Sequence, residues 1–203
     1  MSIIYMDNNA TTRVAPEVFA ALEPFLTEDY FNPSSLYEPA HRPAAAIDAS
    51  RKTVAKLLGN ARPPEILFTS CATESNNTAV FGTISANPDR RHIITTGVEH
   101  PAIFSVGEDL QRRGIEVDFI PVDPEGNIDK MEFVRTLRPD TLMVSVMHAN
   151  NETGVIFPVE ELSRITKETD ESIVFHTDAT QTVGKLPIDL RHSFKHVDLL
   201  SFS

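Results

Sequence analysis

Asp178 follows the apolar run IVFH at 173–176 and Thr177, so its carboxylate is expected at the mouth of a buried strand. A carboxylate in such a place is partly dehydrated and costly to keep charged without a partner. No matched arginine is evident in the sequence, which makes a ligand cation one candidate. A protonated pyridine nitrogen would fit, because a nearby carboxylate favours its charged form. The alternative is a structural Asp that caps a turn.

Other polar clusters also follow apolar runs. SCATES at 70–75 comes after EILFT at 65–69 and opens a helical stretch. Free backbone N–H groups at a helix start, with the hydroxyl of Thr73, suit a phosphate. Ordinary N-capping by Ser70 or Thr73 is the competing explanation. Cys71 sits at the same helix start, where a thiol pKa can be lowered; it is nevertheless expected to be a packing cysteine and not a nucleophile. His100, in VEHP at 98–101, is a surface histidine, a general acid or base, or a flat ring stacked on a ligand. HANNETG at 148–154 follows TLMVSVM, and Ser201 and Ser203 close the last apolar run, VDLLSFS.

Several chemistries are disfavoured. The seven histidines include no HExxH spacing and no Cys/His cluster, so no metal site is expected. None of the eight glycines forms a GxG pair, and there is no GxxxxGK[ST] loop, which argues against a nucleotide fold. A formal charge of −11, from 29 acids against 18 bases, is the wrong balance for nucleic acid or for an anionic membrane surface.

The elements that must hold these clusters are legible in outline. Near-continuous apolar runs at 65–69, 92–96, 116–122, 141–147, 173–176 and 197–202 look like strands covered on both faces. Segments with helical spacing lie at 16–26, 40–58, 73–86, 102–113, 129–137 and 158–169. In the last of these, Val159, Leu162, Ile165 and Thr166 follow a three-and-four rhythm after Pro158. This alternation predicts an α/β fold with a mainly parallel sheet and helices on both faces. In open sheets of that kind, ligands gather at the carboxyl ends of the strands. Residues 1–15 read as an N-terminal arm and 16–203 as one large domain. At 203 residues, 41% hydrophobic and 23% charged, the chain has ordinary globular composition. No apolar run is long enough for a membrane helix, and the start MSIIYMDNN is no secretory signal. One cysteine excludes an internal disulfide and favours a reducing cytoplasm.

Taken together, the strand ends resemble the cysteine desulfurases of the NifS/IscS type, in the class V branch of pyridoxal-phosphate enzymes. The matching segments run in order: MDNNATT at 6–12, NPSS at 32–35, ILFTSCATES at 66–75, VEHPA at 98–102, ANNETG at 149–154, HTDATQTVGKLPIDL at 176–190 and DLLSFS at 198–203. SCATES, with Cys71 where many relatives have glycine, looks closer to the nitrogen-fixation subtype. Phe31 and Tyr37 depart from the glycine and histidine that relatives commonly carry around NPSS.

The resemblance implies a pyridoxal 5'-phosphate site on a fold type I large domain. Ala72, Thr73 and Ser203 match its phosphate contacts, and Asp178 matches the partner of the pyridinium nitrogen. Gln181 matches a contact to the phenolic oxygen, and Asn150 one near that oxygen and the substrate carboxylate. His100 matches the ring that stacks on the cofactor and serves as a catalytic proton carrier. The implied activity takes sulfur from L-cysteine, leaving L-alanine and a protein persulfide for an iron–sulfur scaffold or another acceptor protein. A homodimer is implied as well. In the family, the lysine that forms the Schiff base and the nucleophilic cysteine come after the serine strand. Lys52, Lys56, Lys130, Lys167, Lys185 and Lys195 do not match that lysine. The chain is therefore expected to be the N-terminal half of a longer protein and inactive alone. The rival expectations are a selenocysteine lyase or aminotransferase of the same class, and a non-catalytic protein that only dimerises or docks a partner.

Overall fold

The computed structural model describes residues 3–203, which group into two compact units. One comprises the chain up to Leu57 together with Ala61–Ile66; the other comprises Leu58–Asn60 and Leu67–Ser203.

In the first unit, residues 3–15 form neither helix nor strand. Helix α1 (Pro16–Thr27) begins on a proline, whose missing N–H is no loss at a position that lacks an intrahelical partner. It buries no side chain, and Phe19 and Leu26 are exposed. A short 3₁₀ turn at Glu38–Ala40 leads into α2 (His41–Leu57), and a second lies at Pro63–Glu65. Arg42 pairs with Asp29 at 2.9 Å.

The second unit carries the sheet. Its strands are β1 (His92–Thr96), β2 (Glu116–Ile120), β3 (Thr141–Ser145), β4 (Val174–Asp178) and β5 (Leu199–Ser201). All pair in parallel, in the order β2-β1-β3-β4-β5. Every residue of β1 and β3 is buried. Because successive strand side chains point to opposite faces, both faces must be covered. The covering helices are α3 (Ala72–Ala86), α4 (Pro101–Arg112), α5 (Lys130–Thr136) and α6 (Val159–Thr169).

Helix α3 packs on α4 and on β3, β4 and β5, whereas α4 lies on β1 and β2. Their shared core contains Val80, Ile93, Ile103, Leu110, Val117 and Met143. Gly107 lets α4 approach β2 closely, since a Cβ there would stand 2.7 Å from the Phe119 ring. Helices α5 and α6 pack together, and α6 buries Val159, Leu162 and Thr166 on one face, the face its spacing predicts.

Two sequence expectations need correction. Residues 66–69 form no strand, and Leu67 is 71% exposed. A β-branched apolar run becomes a strand only with a ladder partner, and among the described residues this one has none. The runs at 116–122, 141–147 and 197–202 are also shorter as strands, which span Glu116–Ile120, Thr141–Ser145 and Leu199–Ser201.

The strand order reverses between β1 and β3. Beyond their carboxyl ends lies the crevice where an open parallel sheet offers a site.

Candidate active site

Asp178 ends β4 and is 6% exposed. Its Oδ1 accepts from Thr180 N at 2.9 Å, and its Oδ2 accepts from Asn76 Nδ2 at 2.6 Å. The first bond is the turn cap that the sequence allowed. Both donors are neutral, so the buried charge has no cation against it among the described residues. Its carbonyl accepts from His148 N at 2.8 Å, which fastens the ends of β4 and β3 together.

Asn76 lies in the second turn of α3 and is fully buried, so its bond to Asp178 brings the start of that helix to the end of β4. The N-cap of α3 is Cys71, with extended backbone and no side-chain cap bond. Neither Ser70 nor Thr73 caps the helix. Instead Ser70 N donates to Glu74 Oε2 at 2.6 Å, and the Ser70 hydroxyl, followed by that backbone bond, holds Glu74 below the usual carboxylate range. Cys71 is exposed, which corrects the expectation of a packing cysteine. The backbone N–H of Glu74, then the Ser70 hydroxyl, and more weakly the N–H of Thr73 hold its thiol below its ordinary pKa. The mouth of α3, at Ala72 and Thr73, therefore favours negative charge.

The remaining expected residues surround the same strand ends. Asn150 Nδ2 donates to Val98 O at 3.0 Å and so ties the segment after β3 to the one after β1. His100 is the N-cap of α4 and its Nδ1 accepts from Ala102 N at 3.1 Å, which leaves the proton of a neutral ring on Nε2. Gln181, in the turn after β4, accepts from Lys185 Nζ at 2.9 Å. Ser203 is exposed two residues past β5, whose Ser201 pairs in register with Asp178.

Residues 4–203 match the aminotransferase class-V family. The chain belongs to that family. It is 48% identical over 203 residues to "Cysteine desulfurase 2" of Trichormus variabilis, covering all of this chain and 50% of the relative. It is 48% identical over 197 residues to "Cysteine desulfurase NifS" of Azotobacter vinelandii, covering 97% of this chain and 48% of the relative. The chain thus spans about half the length of these curated relatives. Among solved structures, a "NIFS-LIKE PROTEIN" superposes with a TM-score of 0.94 at 40% identity, covering 98% of this chain and 54% of that one. "SspA in complex with cysteine" superposes with a TM-score of 0.92 at 34% identity, covering 98% and 56%. The sheet-bearing unit has the fold type I architecture of these class-V proteins.

Class-V proteins use pyridoxal 5'-phosphate, which presents a protonatable ring nitrogen and an anionic tail. The residues present fit both ends. Asp178 is a buried carboxylate with neutral donors only, and the uncapped start of α3 lies one helical turn from the Asn76 that holds it.

Two neighbours of these residues escape a reading of the sequence. Asn76 is hidden because its partner is 102 positions away. Glu99 is 7% exposed, and its Oε1 accepts from Thr96 Oγ1 at 2.9 Å and from Met147 N at 2.8 Å. Burial pushes Glu99 up to about 8, against the charge-favouring bonds from Met147 and Thr96, and the nearby Asp178 charge adds to the rise. The signal was available: an acidic residue just past a fully buried strand, as for Asp178.

Proposed function

We propose that the whole protein containing these residues is a pyridoxal-phosphate-dependent cysteine desulfurase. It takes the sulfur of L-cysteine onto an enzyme thiol, giving L-alanine and a persulfide destined for iron–sulfur cluster assembly. The observation that carries this proposal is a buried carboxylate without a counter-cation, Asp178, tied through Asn76 to the uncapped start of α3. The names of the relatives point to the reaction, and the similar SspA structure is a complex with cysteine.

Bound pyridoxal phosphate supplies an electron sink for reaction at the substrate amino acid. Asp178 would keep its ring nitrogen protonated, with Asn76 and Thr180 N orienting the carboxylate. The N–H groups at Ala72 and Thr73, the Thr73 hydroxyl and Ser203 would hold the phosphate. Gln181 would bind the phenolic oxygen, and Asn150 would lie near that oxygen and the substrate carboxylate. His100 would cover the ring and move a proton at Nε2, since Nδ1 is engaged by Ala102 N. The sheet-bearing unit is the cofactor-binding part, and the enzyme works as a cytoplasmic homodimer that passes sulfur to a scaffold or other acceptor protein.

The test uses the full-length natural protein. Asp178→Ala is expected to remove or strongly shift the visible cofactor band. It should also weaken cofactor binding about 100-fold, the roughly 3 kcal/mol of a buried charge-assisted hydrogen bond. An unchanged spectrum and an unchanged rate of alanine release would overturn the assignment.

A further inference from the structure

Glu99 belongs to none of the contacts assigned above, yet it is among the most constrained polar groups in the site. Its Oε1 receives two donors, Thr96 Oγ1 from the end of β1 and Met147 N from just past β3. It therefore clamps the two strands that flank the switch point, and the next residue along its loop is His100. Its Oε2 is buried without a hydrogen-bond partner. An ionised carboxylate would place bare negative charge at that oxygen, near Asp178. A protonated one places a neutral hydroxyl there and keeps both bonds to Oε1.

The neighbouring groups offer no cation in compensation. Asp178 is the charged group whose field reaches Glu99 from β4. His176, on the same strand, is bound by Ser145 Oγ and Ser201 Oγ, both at 2.9 Å, and burial pushes it down to about 4, so it is neutral. His148, beside Met147, is turned to Thr182 Oγ1 at 2.9 Å, and burial lowers its pKa too. His100, on Glu99's own loop, faces Ala102 N with Nδ1.

We propose that Glu99 is a positioning residue that works as a neutral carboxylic acid. It locks the His100 loop to the end of β3 and leaves the negative charge of the crevice on Asp178. Its effect on the cofactor rests on the function proposed above, whereas its protonation does not.

The test therefore has two arms, both on the full-length protein. In the first, cofactor-free wild type and Glu99→Gln are melted between pH 6.5 and 8. A carboxyl raised from its unfolded value of 4.5 to about 8 stabilises below pH 4.5 and loses that contribution as pH rises through 8. The buried histidines, all shifted downward, contribute equally to both proteins, so the difference between the two curves isolates Glu99. Wild type should lose roughly 2 °C more than Glu99→Gln across it, because glutamine copies the neutral acid and does not titrate. Parallel curves would overturn the proposal.

In the second arm, pyridoxal phosphate is titrated at pH 7 and pH 9. Glu99→Ala should bind about tenfold more weakly than wild type at pH 7, as expected for a lost clamp of two hydrogen bonds. Glu99→Gln should restore binding and hold it at pH 9, where wild type weakens. If Glu99→Ala binds like Glu99→Gln at both pH values, the positioning role is wrong. A wild type that does not bind the cofactor at all would sink the functional proposal and leave the first arm standing.

Discussion

The two ends of the parallel sheet treat buried polarity in opposite ways. At the amino end, charges are paired. Arg90 donates to Asp170 Oδ2 at 3.0 Å and to Thr141 O at 2.9 Å, and Lys167 meets Asp198 at 2.6 Å and Ile173 O at 2.7 Å. The fully buried His92 bridges Thr141 Oγ1 at 2.8 Å and Asp118 at 3.0 Å. At the carboxyl end, Asp178 and Glu99 have no cation against them among the described residues, where Asn76 Oδ1, Glu99 Oε2 and Thr180 Oγ1 are buried without partners. The same strands thus carry an end of paired charges and an end whose buried carboxyl groups meet only neutral donors. A carboxylate with only neutral donors is a poor device for stability and a good one for gripping a cationic ring.

The contrast can be broken most strongly at the amino end. Lys167→Met removes the cation from Asp198 and the donor from the carbonyls of Glu171 and Ile173. A loss of about 2 kcal/mol is expected in urea unfolding, with cofactor affinity changed less than about threefold. A larger effect on the cofactor than on stability would erase the distinction between the ends.

A middle-sized effect comes from pH. Bonds from Ser172, and then Arg90, hold Asp170 down to about 2. A depressed carboxylate stabilises above its unfolded value near 3.8 and loses that contribution as pH falls through 2. Wild type should therefore weaken more steeply than Asp170→Asn between pH 4 and 2 in urea midpoints. This slope is opposite in sign to that expected of Glu99 at the other end. Matching slopes for the two proteins would remove the pairing argument.

The smallest effect sharpens the comparison instead. Thr177 Oγ1 is buried and unbonded within β4. Thr177→Val keeps the β-branched shape and removes an unsatisfied hydroxyl, so stability should rise by about 0.5–1 kcal/mol. A measured loss would mean that the hydroxyl has a partner in the working protein.

The sequence revealed the parts of this molecule that depend on local pattern. Helix α6 was visible because Val159, Leu162 and Thr166 repeat at the helical period, and all three are buried. Strand β1 was visible because HIITT is unbroken by charge, and each of its residues is buried. Residues 66–69 carry the same strand-like composition but lie outside any ladder, because pairing depends on what another segment offers. The central places of β1 and β3 were not legible for the same reason. Asp178 was legible in the site because a carboxylate past a greasy run is an anomaly by itself. Glu99 was the same anomaly, masked by the histidine beside it, and its partners Thr96 and Met147 N meet only in three dimensions.

The His100 ring is also the keystone of α4. Pro101 has no N–H to offer, so Ala102 supplies the first free amide of that helix, and the imidazole answers it. A ring that takes up a second proton becomes a donor at Nδ1 and must let the amide go. In the function proposed above, each proton that His100 carried would be felt as fraying at the head of a helix. Deuterium uptake at Ala102 would keep time with the reaction.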